Sequence, residues 1–159
     1  MSDAARALLR HTLATLAYRG GKAVRGVPED VAQLRVADGS RTPLEILTHV
    51  NDLLDWGLAL CRGEHLWQDS APTDWTGESA RFHAALAALD AHLAGGAALG
   101  FPAERIFQGP IADALAHVGQ INYLRRLGRA PVRGENYFRA EVVAGRIGPE
   151  QAAPVREFD

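Results

Sequence analysis

The stretch Asp113-Ala-Leu-Ala-His117-Val-Gly-Gln120 decides how this chain is read, because offsets of four and three set a carboxylate, an imidazole and a carboxamide along one helical face. Gly109-Pro110 ahead of it opens a helix, and Gly128 followed by Pro131 stops that helix about five turns later. On a wheel of about 100° per residue, Asp113, His117, Gln120 and Leu124 share a narrow sector flanked by Ala114, Ala116, Ile121 and Leu127. The trio therefore reads as lying in apolar surroundings, with Asn122, Arg125 and Arg126 on the solvated side. A buried carboxylate without a partner is costly, so Asp113 calls for a metal, a cation or a donor network. Ile111, Leu115 and Val118 occupy the opposite sector. Apolar residues on both sides suggest a second contact surface, most simply that of a homodimer.

The rest of the chain is helical in pattern as well. A first helix is expected from about Asp3 to Lys22, with Leu9, Leu13 and Leu16 as its stripe and Gly20-Gly21 as its weak end. The region from Arg25 to Arg41, with Gly26, Pro28 and Gly39, reads as a long connection with room for one helical turn after Pro28. Thr42-Pro43-Leu44-Glu45 then offers a hydroxyl N-cap, a proline at the first helical position and a glutamate at the third, the pattern of a capping box. Leu47, Val50, Leu54, Leu58 and Cys61 continue that helix to Gly63. A loop from Glu64 to Trp75 leads to a third helix, where Phe82, Leu86, Leu89 and Leu93 repeat at four, three and four before Gly95-Gly96. A short helix over Asn136 to Ala144 is expected in the tail, with the last dozen residues extended beyond Pro149. No run of β-branched residues competes for a strand, so the class is all-α, a single domain with its core over residues 3–131 and a tail over 132–159.

Composition narrows the function classes. The 159 residues, 47% of them hydrophobic, suffice for one core. A formal charge of −2 with both signs interspersed gives no basic stripe for phosphate backbones, so nucleic acid is disfavoured as a partner. No apolar stretch approaches a membrane span, which makes a cytoplasmic protein the expectation. Cys61, the only cysteine, cannot form an internal disulfide and reads as a core thiol.

A carboxylate and an imidazole at i, i+4 can grip one metal ion, and His49 on the second helix is the natural third ligand. A buried Asp-His hydrogen-bonded pair accounts for the same spacing. Asp52 and Asp55 read as a solvated face, although Asp52 could orient the His49 imidazole. His11, His65, His83 and His92 read as surface or boundary residues. Trp67 and Trp75, at either end of the loop before the third helix, could lid a pocket or anchor the loop. No nucleotide-binding glycine fingerprint follows a strand, and no Ser-His-Asp arrangement appears.

The segment Ile46-Leu-Thr-His49-Val-Asn-Asp-Leu-Leu-Asp-Trp56, taken with His117-Val-Gly-Gln-Ile-Asn-Tyr-Leu-Arg-Arg-Leu-Gly128, resembles the DinB/YfiT-like superfamily over roughly residues 3–131. That resemblance implies a four-helix bundle with a long first crossover. It also implies one divalent ion held by a histidine on the second helix and an H-x-x-x-H pair late in the bundle. His49 matches the first ligand and His117 the last, while Asp113 stands where the remaining histidine would be. The exchange keeps a donor and gives two histidines and a carboxylate, a set suited to Zn, Ni, Fe or Mn. The implied activity is that of a metal-dependent transferase, hydrolase or isomerase acting on a small-molecule substrate with water or a low-molecular-weight thiol. Gln120 would hydrogen-bond the bound water or substrate, and Tyr123 or Tyr137 would supply a proton. The alternative is a non-catalytic metal-binding or stress protein that pairs through its helices.

Overall fold

Thr42 does begin a helix: its Oγ1 accepts from the Glu45 N–H at 3.2 Å while Glu45 Oε2 accepts from the Thr42 N–H at 2.7 Å. Each side chain thus satisfies a backbone donor that the first turn leaves open. The structure, a computed structural model, describes residues 3–158. It contains helices α1 (Asp3–Val24), α2 (Glu29–Ala32), α3 (Pro43–Cys61), α4 (Trp75–Ala94), α5 (Ala103–Ile106) and α6 (Ala112–Leu127). The short α2 follows Pro28, as that proline suggests.

α3 packs against α4 and α6, and α1 packs against the same two. The periodic leucines lie between them. Leu13, Leu16, Leu47, Leu54, Phe82, Leu86, Leu89, Leu93 and Ile121 are all fully buried, each contributing about 1.5–3 kcal/mol of apolar transfer. Cys61 is buried among them, and burial pushes its thiol up to about 11, which leaves it unreactive at neutral pH. Among the described residues, no helix is long and apolar enough to cross a membrane.

Several local expectations are corrected. α1 continues through Gly20-Gly21 to Val24. A Cβ at Gly20 would lie 2.5 Å from Phe82 Cζ, so glycine there makes room for an aromatic ring instead of ending the helix. The last long helix does not open at Gly109-Pro110. It is entered at Ala103, and α5 runs into α6 through a π-helical turn, Phe107–Ile111, that contains Pro110. Proline has no N–H and its ring collides with the carbonyl four residues back in a plain α-helix; widening the turn accommodates it. Arg125, expected on the solvated side, is buried. Its guanidinium donates to the carbonyls of Ala23 (2.7 Å) and Arg25 (2.8 Å), and so caps the end of α1.

The tail forms a 3-10 turn, Tyr137–Arg139, in place of the expected longer helix. Strands β1 (Gly134–Glu135) and β2 (Glu157–Phe158) pair antiparallel, with Glu135 opposite Glu157. The buried Glu135 carboxylate accepts from Tyr18 Oη at 2.6 Å and Lys22 Nζ at 2.9 Å, and Lys22 also reaches Glu157 at 2.6 Å. One lysine of α1 therefore holds both ends of the tail.

Candidate metal centre

α3 and α6 pack side by side, which brings His49, two turns into α3, opposite the first two turns of α6. Asp113 Oδ2 lies 3.8 Å from His49 Nε2, and Asp113 Oδ1 lies 3.4 Å from His117 Nε2. One donor atom from each residue falls within 4.8 Å of the others. Two donors each about 2.1 Å from a tetrahedral ion are about 3.4 Å apart, so this spacing fits a common cation. Both contacts exceed the ~2.7–3.2 Å of a good hydrogen bond, so a simple Asp-His hydrogen-bonded pair does not describe them.

The hydrogen bond of His117 is compatible with this arrangement. His117 Nδ1 lies 2.9 Å from Gln120 Oε1. In the tautomer that carries its proton on Nδ1, His117 donates to the Gln120 carboxamide oxygen and turns Nε2 toward the Asp113 carboxylate. A cation between that nitrogen and the carboxylate would have a donor atom on either side. At His49, burial and then the positive fields of Arg41 and His117 lower the pKa, against smaller opposing effects of Asp113 and Asp52. The imidazole is therefore neutral, the form that ligates.

All three expected ligands come together, but in different surroundings from those the helical wheel suggests. The imidazoles of His49 and His117 are 16% and 14% exposed, whereas Asp113 is 49% exposed. The centre thus opens at the rim. Ile111 and Val118, in the sector opposite, face the core. α6 accordingly has one buried face and not two.

Gln120 is placed to orient His117. Tyr123 is 60% exposed and makes no hydrogen bond among the described residues. Tyr137 lies edge-on to Tyr18 and beneath Arg19, engaged with α1 and not with the three donors.

The two tryptophans divide the roles that the sequence leaves open. Trp75 is buried and its indole Nε1 donates to the Val24 carbonyl at 3.0 Å, so it is an anchor. Trp67 stands edge-on to His49, ring centroids 5.6 Å apart, and edge-on to Trp56 at 5.8 Å. It covers one side of the centre.

Sequence reasoning missed what holds that loop. Asp52 is buried, not solvated, and accepts from Ser70 Oγ (2.6 Å), Ser70 N (2.9 Å) and Arg81 (2.6 Å). Its oxygens serve the loop and α4, and none of these hydrogen bonds goes to His49. Glu78, also buried, accepts from Asn51 Nδ2 (2.8 Å) and Thr73 Oγ1 (3.0 Å). An aspartate beside leucines on α3 was the available signal. Its partners lie in an aperiodic loop and on another helix.

No family model, curated protein or solved structure matches this chain.

Proposed function

We propose that the chain is a divalent-metal-dependent enzyme on a DinB-like four-helix bundle, a transferase using a low-molecular-weight thiol, or a hydrolase, acting on small electrophilic molecules. The observation supporting this reading is the convergence of His49, Asp113 and His117, with His117 Nε2 3.4 Å from the Asp113 carboxylate. A Zn, Ni, Fe or Mn ion bound there supplies Lewis acidity, which makes a thiol or water a competent nucleophile at neutral pH. The residues supply the rest. His49 and His117 would each offer an imidazole nitrogen, and Asp113 a carboxylate oxygen. Gln120 fixes which nitrogen of His117 faces inward. Trp67 shields His49 from water on one side, while the exposed Asp113 side remains open to a substrate. Tyr123, exposed farther along the same helix, is the candidate to exchange a proton with solvent.

Metal analysis of untagged protein tests the centre. One ion per chain is expected, and it should be lost in His117→Ala; equal metal content in the two proteins rejects the site. Metal-loaded protein should then couple a thiol to a chloro-dinitroarene or an epoxide, or hydrolyse an activated ester. Absence of turnover across that panel overturns the catalytic reading and leaves a metal-binding protein.

A further inference from the structure

Glu45, His49 and Asp52 stand at offsets of four and three, so they share one face of α3. That face lines a cleft of ≈ 300 Å³, completed by Arg35 and Arg41 from the crossover before α3 and by Asp69 and Ser70 from the loop before α4. The volume is at the small end for ligand sites, suited to a molecule of amino-acid size.

Most charges around this cleft already have partners. Arg35 pairs with Glu45 at 2.8 Å, and Asp52 pairs with Arg81 at 2.6 Å. Arg41 and Asp69 remain. Both are exposed, and among the described residues neither side chain forms an ion pair or hydrogen bond. They come from different loops, and a metal ligand, His49, lines the same space. Arg41 is close enough for its field to act on the His49 imidazole. The cleft thus carries one unengaged cation, one unengaged anion and one edge of the centre. Its two neutralised ion pairs and Asp69 make it a poor host for a polyanion such as a phosphate ester.

We propose that the cleft binds the α-amino-acid end of a small zwitterionic substrate, with its carboxylate on Arg41, its ammonium on Asp69 and its remaining functional group directed toward His49. This deepens the metal-dependent reading above and rests on it for the last of those contacts.

Calorimetric titration of the full metal-loaded chain with three thiols tests the assignment: cysteine, 3-mercaptopropionate, which lacks the ammonium, and cysteamine, which lacks the carboxylate. Cysteine should bind about tenfold more tightly than either. Arg41→Gln should erase its advantage over cysteamine, and Asp69→Asn its advantage over 3-mercaptopropionate. Both residues are exposed, so an unchanged melting temperature is expected in each variant. Equal affinity for the three thiols, or cysteine binding unaltered in both variants, overturns the proposal. Metal analysis of the same samples separates it from the reading beneath it. A held ion with indifferent thiol binding sinks the cleft alone, and a missing ion with Arg41-dependent cysteine binding sinks the metal centre alone.

Discussion

Asp52 and Asp113 are carboxylates that flank the same histidine, and the fold treats them oppositely. Asp52 is 2% exposed and receives hydrogen bonds from Ser70 at 2.6 and 2.9 Å and from Arg81 at 2.6 Å. Asp113 is 49% exposed, and its nearest imidazole nitrogens stand 3.4 and 3.8 Å away. A saturated buried carboxylate is a structural tie, here fastening the loop that carries Trp67 to α3 and α4. A half-exposed carboxylate with two nitrogens just beyond hydrogen-bonding reach has room for an ion. The partners of a carboxylate, and not its presence, separate a tie from a site.

Substitutions can break that contrast. The largest effect expected is on metal binding: Asp113→Ala should weaken affinity about a thousandfold, or about 4 kcal/mol, while urea unfolding of the metal-free protein barely changes. A large loss of stability in that variant would make Asp113 a tie like Asp52 and collapse the distinction. Asp52→Ala should do the converse, removing about 3 kcal/mol of stability by leaving Arg81 and Ser70 without their acceptor, with metal content preserved. A smaller effect is expected at Gln120→Ala, where loss of the His117 orientation should weaken the ion about tenfold with no change in melting temperature.

The smallest effect is a pH dependence. Burial alone would raise the Asp52 pKa, but the hydrogen bonds from Ser70 and Arg81 outweigh it and hold the carboxyl below its ordinary value. The unfolded chain, with an aspartate pKa of about 3.9, then binds the proton more readily than the folded one. Stability from this group is present above that value and is lost as pH falls through the folded pKa. Unfolding midpoints should therefore drop below about pH 4, and Asp52→Asn should flatten that acid limb.

Much of this was legible in the residues. Periodicity placed the leucines of α3 and α4 in the core, Thr42 and Glu45 announced the start of α3, and the spacing of Asp113 and His117 picked out the two α6 members of the converging trio. The exposure of Asp113 was not legible. Apolar residues flank it on the wheel, and a wheel shows which residues share a face without showing which face meets a neighbour. Asp52 and Arg125 were misplaced for a related reason. Each is buried only because a distant loop or a helix terminus supplies its partners, and such contacts leave no local period. Gly109-Pro110 looked like a beginning because proline is welcome in a first turn; here a π turn carries it instead.

That π turn has a consequence for the length of the chain. A widened turn contains one residue more than an ordinary one. Deleting a residue between Phe107 and Gly109, with Pro110 replaced so that the tighter coil can close, should leave Ile106 in the core and Asp113 facing His49 as before. The same deletion at Ala116 would swing His117 around the axis by about 100° relative to Asp113. The helix can be shortened where it is already stretched, and the histidine register forbids it about two turns later.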